Sequence, residues 1–391
     1  MKPMINVTNS GAKGDGETDD TAAFNKAFQE ATARRGGTVF APTGNYLIAT
    51  HLEIPPHVVL RGEFEAPTAR TQMKGTTLLA VEGAGNPEGA PFITLRDNST
   101  LKGLTIFYPN QTPTNPPIAY PWTVRGIGDN CSIVDVLMVN PYQAVDFGTE
   151  PAGRHYIKGL YAQALFRGIF VDKCFDVGRI EDVHLWPFWN LDEKFRQFTL
   201  DHGEAFILGR TDWEYMLNCF CIGYRVGFRF IAAKHGPGNV VLTQCGSDVG
   251  PTAVRVEDCQ AHAGISFVNG QFMAGIEVEK TNTGPVKFTS CGFWGINTTE
   301  NHARIAGRGH VTFSSCHFNG WDRKKTGAPC LQVNGEGITV IGCDFMDEGK
   351  SQISLGPEVK AAIIMGNRFR GGTKVENLSQ GSVQLGLNAD R

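Results

Sequence analysis

Val286-Lys-Phe-Thr-Ser-Cys-Gly-Phe293, Val311-Thr-Phe-Ser-Ser-Cys-His-Phe318, Ile338-Thr-Val-Ile-Gly-Cys-Asp-Phe345 and Ala362-Ile-Ile-Met-Gly-Asn-Arg-Phe369 share one pattern and one ending. Ile265-Ser-Phe-Val-Asn-Gly-Gln-Phe272 is a looser fifth copy, and the five closing phenylalanines lie 21, 25, 27 and 24 residues apart. A period of this size marks a solenoid, whose units bury their apolar faces only by stacking. Each copy follows another short alternating strand: Gly275-Ile-Glu-Val-Glu279, Cys330-Leu-Gln-Val-Asn334 and Gln352-Ile-Ser-Leu355. Upstream the same first strand recurs at Ala144–Phe147, Gly168–Asp172, Ala205–Leu208, Gly227–Phe230 and Ala253–Glu257. Alternate strand residues face opposite ways. Ile169/Val171, Phe206/Leu208, Phe228/Phe230, Val254/Val256 and Ile276/Val278 therefore point inward and stack into one core. The leucine-rich consensus is missing, and hairpin turns do not recur at sandwich spacing. The expected fold is all-β: a single-stranded right-handed parallel β-helix (solenoid), one domain over residues 1–391, with a short N-terminal capping helix within about the first 50 residues.

Composition agrees. A chain of 391 residues is long for one compact core and ordinary for a solenoid. Charged residues are 19% and glycines number 47, which fits many turns and few long helices. The net charge of −3 is spread along the chain and leaves no nucleic-acid footprint. No apolar run nears the roughly 20 residues of a membrane span, and Met1-Lys2-Pro3-Met4 shows no signal-peptide h-region. Cys291, Cys316 and Cys343 each precede a phenylalanine by two residues, which reads as a buried ladder and not as bridges. Cys259 and His262 lack a second ligand pair, and Gly14–Asp20 lacks a full calcium loop. No metal site and no cofactor are expected.

At the N-terminus Asp20 is placed to cap a helix whose Phe24, Ala27, Phe28 and Ala31 form an apolar stripe, with Gly36-Gly37 as its stop. Laid across the first coil, such a helix would cover an aggregation-prone edge. The run Gly11-Ala-Lys-Gly-Asp-Gly-Glu-Thr-Asp-Asp-Thr-Ala-Ala-Phe24, followed by Gly37-Thr-Val-Phe-Ala-Pro-Thr-Gly-Asn-Tyr46, resembles the start of pectate-lyase-superfamily (glycosyl-hydrolase-28-related) proteins. The resemblance implies a right-handed parallel β-helix and a place among glycosidases, polysaccharide lyases and phage tailspikes. It also implies a secreted or periplasmic setting and a homotrimer as one assembly. Outward Phe170, Ile207 and Ile231 would form either that interface or the floor of a loop. The fold marker does not select a reaction.

The coil register aligns outward residues. Arg229 and Arg255 share a row with Glu277, and Glu257 falls beside Glu279 in the next row. Carboxylates one coil apart match the spacing of about 5 Å in a retaining glycosidase pair, and their repulsion would raise one pKa. Insertions at 110–125 and 187–204 interrupt the coils; the first carries Tyr120 and Trp122. Around the second lie Trp186, Trp189, Asp201, Glu204, Arg210, Asp212, Trp213 and Glu214. Aromatic faces suit sugar rings, and acids suit hydroxyls. The expected cleft therefore has Asp201, Glu204, Asp212, Glu257 and Glu279 as acid, base or nucleophile. Tyr120, Trp122, Trp186, Trp189, Arg210, Trp213, Glu214, Arg229 and Arg255 would bind substrate. Asp201-His202-Gly203 is similar to part of the polygalacturonase motifs, but the full set is absent, so no catalytic residue is carried over.

Three functions compete. Foremost is a glycoside hydrolase acting on a polysaccharide or oligosaccharide, which needs two carboxyl groups and no cofactor. A polysaccharide lyase would remove a proton beside a uronate carboxylate, using calcium and a base among Arg229, Lys234, His235 and Arg255. The non-enzymatic alternative is a glycan-binding tailspike or adhesin. None of the three involves nucleic acid or a membrane.

Overall fold

The computed structural model describes residues 4–68 and 73–390. It divides into two compact units, Met1–Ile207 and Leu208–Arg391. Among the described residues there are two α-helices, and neither is long and apolar enough to cross a membrane. Its strands are short, and the named strands pair in parallel.

In the first unit Leu52, Ile93, Val124, Val145 and Ile169 stand in strand register as one inner column. All five are buried, because β-branched and leucine side chains alternate with polar ones along each strand. The helix Thr21–Ala33 packs Phe24, Ala27, Phe28 and Ala31 inward against the first strands, with the Phe24 ring 5.3 Å from Tyr46. Its cap differs from expectation. Asp20 holds the N-cap position, but its carboxylate accepts from the Lys13 and Gly14 amides at 2.7 and 3.0 Å. Asp19 instead accepts from the Thr21 amide at 3.0 Å. Asp20 thus ties the preceding turn to the helix. Asp20→Ala leaves two amides without their acceptor and is expected to cost about 2 kcal/mol in a thermal melt.

In the second unit the repeating coil has three strands, as in Gly275–Val278, Val286–Thr289 and Gly292–Trp294. Phe228, Val254, Ile276, Ala303, Leu331 and Ile353 make its inner column. The five closing phenylalanines stand in register as well, with successive ring centroids 5.3, 5.0, 4.8 and 5.0 Å apart. Between the second and third strands a single left-handed residue turns the chain: Asn269, Ser290, Ser315, Gly342 or Gly366. The next position carries the cysteine ladder. Cys316 and Cys343 thiols donate to the Phe288 and Phe313 carbonyls at 3.4 and 3.5 Å. In the following coil Asn367 takes the cysteine's place and donates to the matching Val340 carbonyl at 2.9 Å. All ten cysteines are free and buried, as their spacing predicted.

Candidate functional site

Within the first unit, most of the expected site residues prove structural. Tyr120 is buried with its ring 4.9 Å from Tyr108, and Trp122 lies inside a strand and stacks on Phe170 at 6.3 Å. Neither reaches solvent. The 187–204 insertion is not a loop but carries the helix Glu193–His202, capped by Asp192, whose carboxylate accepts from the Lys194 amide at 2.9 Å. Phe195 and Phe198 fix it on Leu165, Tyr142 and Phe166. Trp186 and Trp189 pack with Phe188 on an outer apolar cluster that includes Leu137, Val139 and Phe107. They anchor the segment, as large apolar side chains do when a connection crosses a sheet face. Asp201 stands on the exposed side of that helix, where the Gln197 amide donates to both its oxygens at 2.9 and 3.0 Å. Glu204 opens a strand and is buried.

The second unit presents chemistry to solvent. After Leu208 the chain turns through Gly209–Trp213, beside later turns at 231–239 and 257–264. Two buried amides bind these turns together. Asn239 accepts from the Trp213 amide at 3.0 Å and donates to the Gln260 side chain at 2.8 Å. Gln260 donates to the Thr211 carbonyl at 3.2 Å and to the Asp212 carboxylate at 3.1 Å. Arg210 meets the same Asp212 oxygen at 2.8 Å. Trp213 is thereby held at a φ of 68°, with 59% of its surface exposed. A left-handed tryptophan costs about 1–2 kcal/mol of backbone strain, and surplus strain of this kind gathers at functional positions. Its side chain is open to solvent, and the preceding residue, Asp212, is fixed by Gln260 and Arg210. Glu214, by contrast, is fully buried.

On the outer face of the first-strand sheet the charged rows form as predicted. Arg229, Arg255, Glu277 and Arg304 are register neighbours, continued by Gln332 and Ser354. Glu257 receives Arg229 through Nε and Nη2 at 2.8 and 2.7 Å. Arg255 reaches Glu279 at 2.8 Å and Glu257 at 3.9 Å. The two carboxylates therefore do not face each other bare. A shared guanidinium offsets the repulsion that pairing alone would create. Lys234 and His235 lie exposed on the turn closed by the Ala233–Gly236 bridge.

The family model described as rhamnogalacturonase A/epimerase, pectate lyase-like, matches residues 4–136. An exopolygalacturonase (clone GBGA483) of Arabidopsis thaliana is 44% identical over 69 residues, 16% of this chain and 15% of that relative. Most of that relative's length therefore lies outside the match. Two solved structures share the fold along nearly the whole chain. The mannuronan C-5 epimerase AlgE6 A-module of Azotobacter vinelandii has a TM-score of 0.57 at 15% identity over 99% of both chains. A tailspike mutant of E. coli bacteriophage HK620, in complex with a pentasaccharide, has a TM-score of 0.60 at 8% identity over 99% of this chain and 78% of that one. Over residues 4–136 the chain is thus similar to a pectate lyase-like family, and its fold is the parallel β-helix seen in these structures.

Proposed function

We propose that this protein is carbohydrate-active: a glycoside hydrolase that seats a polysaccharide or oligosaccharide on the turns and charged rows of its second unit. Trp213 carries the reading, because its exposed side chain stands on a left-handed turn whose backbone is fixed by the buried Asn239 amide. Glu257 and Glu279 each directly follow one of two paired strands, whose usual spacing of about 4.8 Å is close to a retaining pair's separation of about 5–5.5 Å. One would attack the anomeric carbon while the other protonates the departing oxygen. Asp212 and Arg210 would bind hydroxyls beside the Trp213 face. The rhamnogalacturonase-type family match and the exopolygalacturonase relative support a glycan-acting enzyme.

The test is incubation with a polysaccharide panel and assay for new reducing ends. Trp213→Ala is expected to weaken oligosaccharide binding about tenfold, the worth of one stacking face. Asp212→Asn, which keeps the shape but not the charge, is expected to lower turnover about 100-fold if its carboxylate contacts substrate in the transition state. A variant that binds and cleaves normally removes Asp212 from the site. Lys234 and His235, exposed beside the Asp212 turn, favour a second reading as a lyase. Chelator-sensitive growth of unsaturated-product absorbance on uronate polymers would identify it, and binding without any product would identify an adhesin. The same reading takes the protein as secreted and gives helix Thr21–Ala33 the part of a cap. It takes a homotrimer as the assembly, which light scattering checks.

A further inference from the structure

We propose that the glycan bound on this face is uncharged, and that the face rejects uronate polymers; the inference rests on the reading that the second unit binds a glycan at all. A uronate chain brings one carboxylate per sugar, and a protein that holds such a chain supplies cations not already neutralised, most effectively arginines with a free guanidinium edge. Here the arginines of the face are already engaged. Arg229 gives both Nε and Nη2 to Glu257, and Arg255 gives Nη2 to Glu279. Arg304 pairs with Glu300 at 2.8 Å and donates to the Asn301 side chain at 2.8 Å, and Arg210 pairs with Asp212.

After pairing, the row keeps an outward carboxylate. Glu277 faces outward between Arg255 and Arg304, both of which spend their charge on other carboxylates. Lys234 and Lys280 add two cations on the adjoining turns, while Asp258 and Glu376 add two acids, the latter extending the outward row past Ser354. With Lys324, which also reaches Glu300 at 3.3 Å, the charges of the face balance, so it keeps no surplus cation for a uronate. A uronate would have to displace a protein carboxylate or lie beside Glu277, and in a half-buried setting either costs more than the same contact in water. A neutral sugar pays neither cost. Its hydroxyls can donate to the paired carboxylates and accept from the guanidinium edges without breaking them, Gln332 and Ser354 extend the row with uncharged hydrogen-bonding groups, and Trp213 takes an apolar ring face.

The experiment compares the full chain's affinity for neutral oligosaccharides (gluco-, xylo- and galacto-configured) with that for oligogalacturonate and oligoalginate, at low and raised ionic strength. Neutral binding is expected to change less than about twofold with salt, with uronates roughly tenfold weaker at low salt. Glu277→Gln and, separately, Glu279→Gln, which releases the Arg255 guanidinium, are expected to tighten uronate binding roughly tenfold and make it salt-sensitive. Uronate affinity above neutral affinity in the unaltered protein, falling with salt, overturns the inference and leaves the glycan reading standing. Binding of neither class overturns the glycan reading itself.

Discussion

Phe318→Ala lowers the free energy of unfolding by about 4 kcal/mol, the middle of the range for an aromatic ring removed from a rigid core. Phe318 is fully buried, with Phe293 at 5.0 Å on one side and Phe345 at 4.8 Å on the other, both stacked, and Phe313 edge-on at 5.6 Å. The cavity cannot collapse along the column. Backbone ladders from His317 to Gly292 below and to Asp344 above hold the coils at their separation, so the flanking rings keep their places. Phe318→Leu, which refills most of the space, is expected to cost only about 1–2 kcal/mol. Thr312→Ala, on the outer face of a neighbouring strand, should stay within about 0.5 kcal/mol of the unaltered protein. Urea unfolding followed by tryptophan fluorescence gives all three numbers. A loss near 1 kcal/mol for the alanine variant would mean that the rings do not form a packed stack.

Acidification from pH 6.5 to pH 4 removes about 3 kcal/mol of stability through one side chain, His302. The imidazole is fully buried among Phe293, Phe318 and Trp321, and its Nε2 lies 2.9 Å from the Asn319 carbonyl. A carbonyl only accepts, so Nε2 carries the proton, while Nδ1 has no partner. A second proton would put a charge and an unsatisfied donor into the core. Burial accordingly pushes the His302 pKa down to about 4 from the ordinary 6.5. Between those two values the unfolded chain binds more protons than the folded one, so stability rises with pH across that window and the loss is complete below the folded value. His302→Gln keeps an N–H donor but does not titrate. Its unfolding free energy is expected to lack this part of the slope, and identical pH profiles for the two proteins would refute the assignment.

Much of the architecture was legible because a solenoid writes its register directly into sequence. Side chains alternate with period 2, and parallel coils stack at one residue offset per turn. Aligning Phe272, Phe293, Phe318, Phe345 and Phe369 on the page placed the same five rings in one column in space. By the same logic Arg255 was expected beside Glu277, and the register agrees. The helix Glu193–His202 was missed, although its signal was present. Asp192 is a good N-cap, and Phe195, Phe198 and Thr199 repeat at helical spacing. The acids and tryptophans around it also suit a binding loop, and ten residues of helical period do not separate the two.

What the residues decided unaided is the repeat, the inner columns, the buried cysteine ladder and the outward rows, all of which follow from periodicity and hydrophobic burial along the chain. Which tryptophan meets solvent was decided only in three dimensions. Trp122, Trp186 and Trp189 are drawn under neighbouring segments, and Trp213 is held outward by amides at Asn239 and Gln260. Tertiary structure likewise gave each carboxylate of the charged rows its arginine, because long side chains choose among several neighbours at nearly equal distance along the stack, and only their packed conformations settle the pairs.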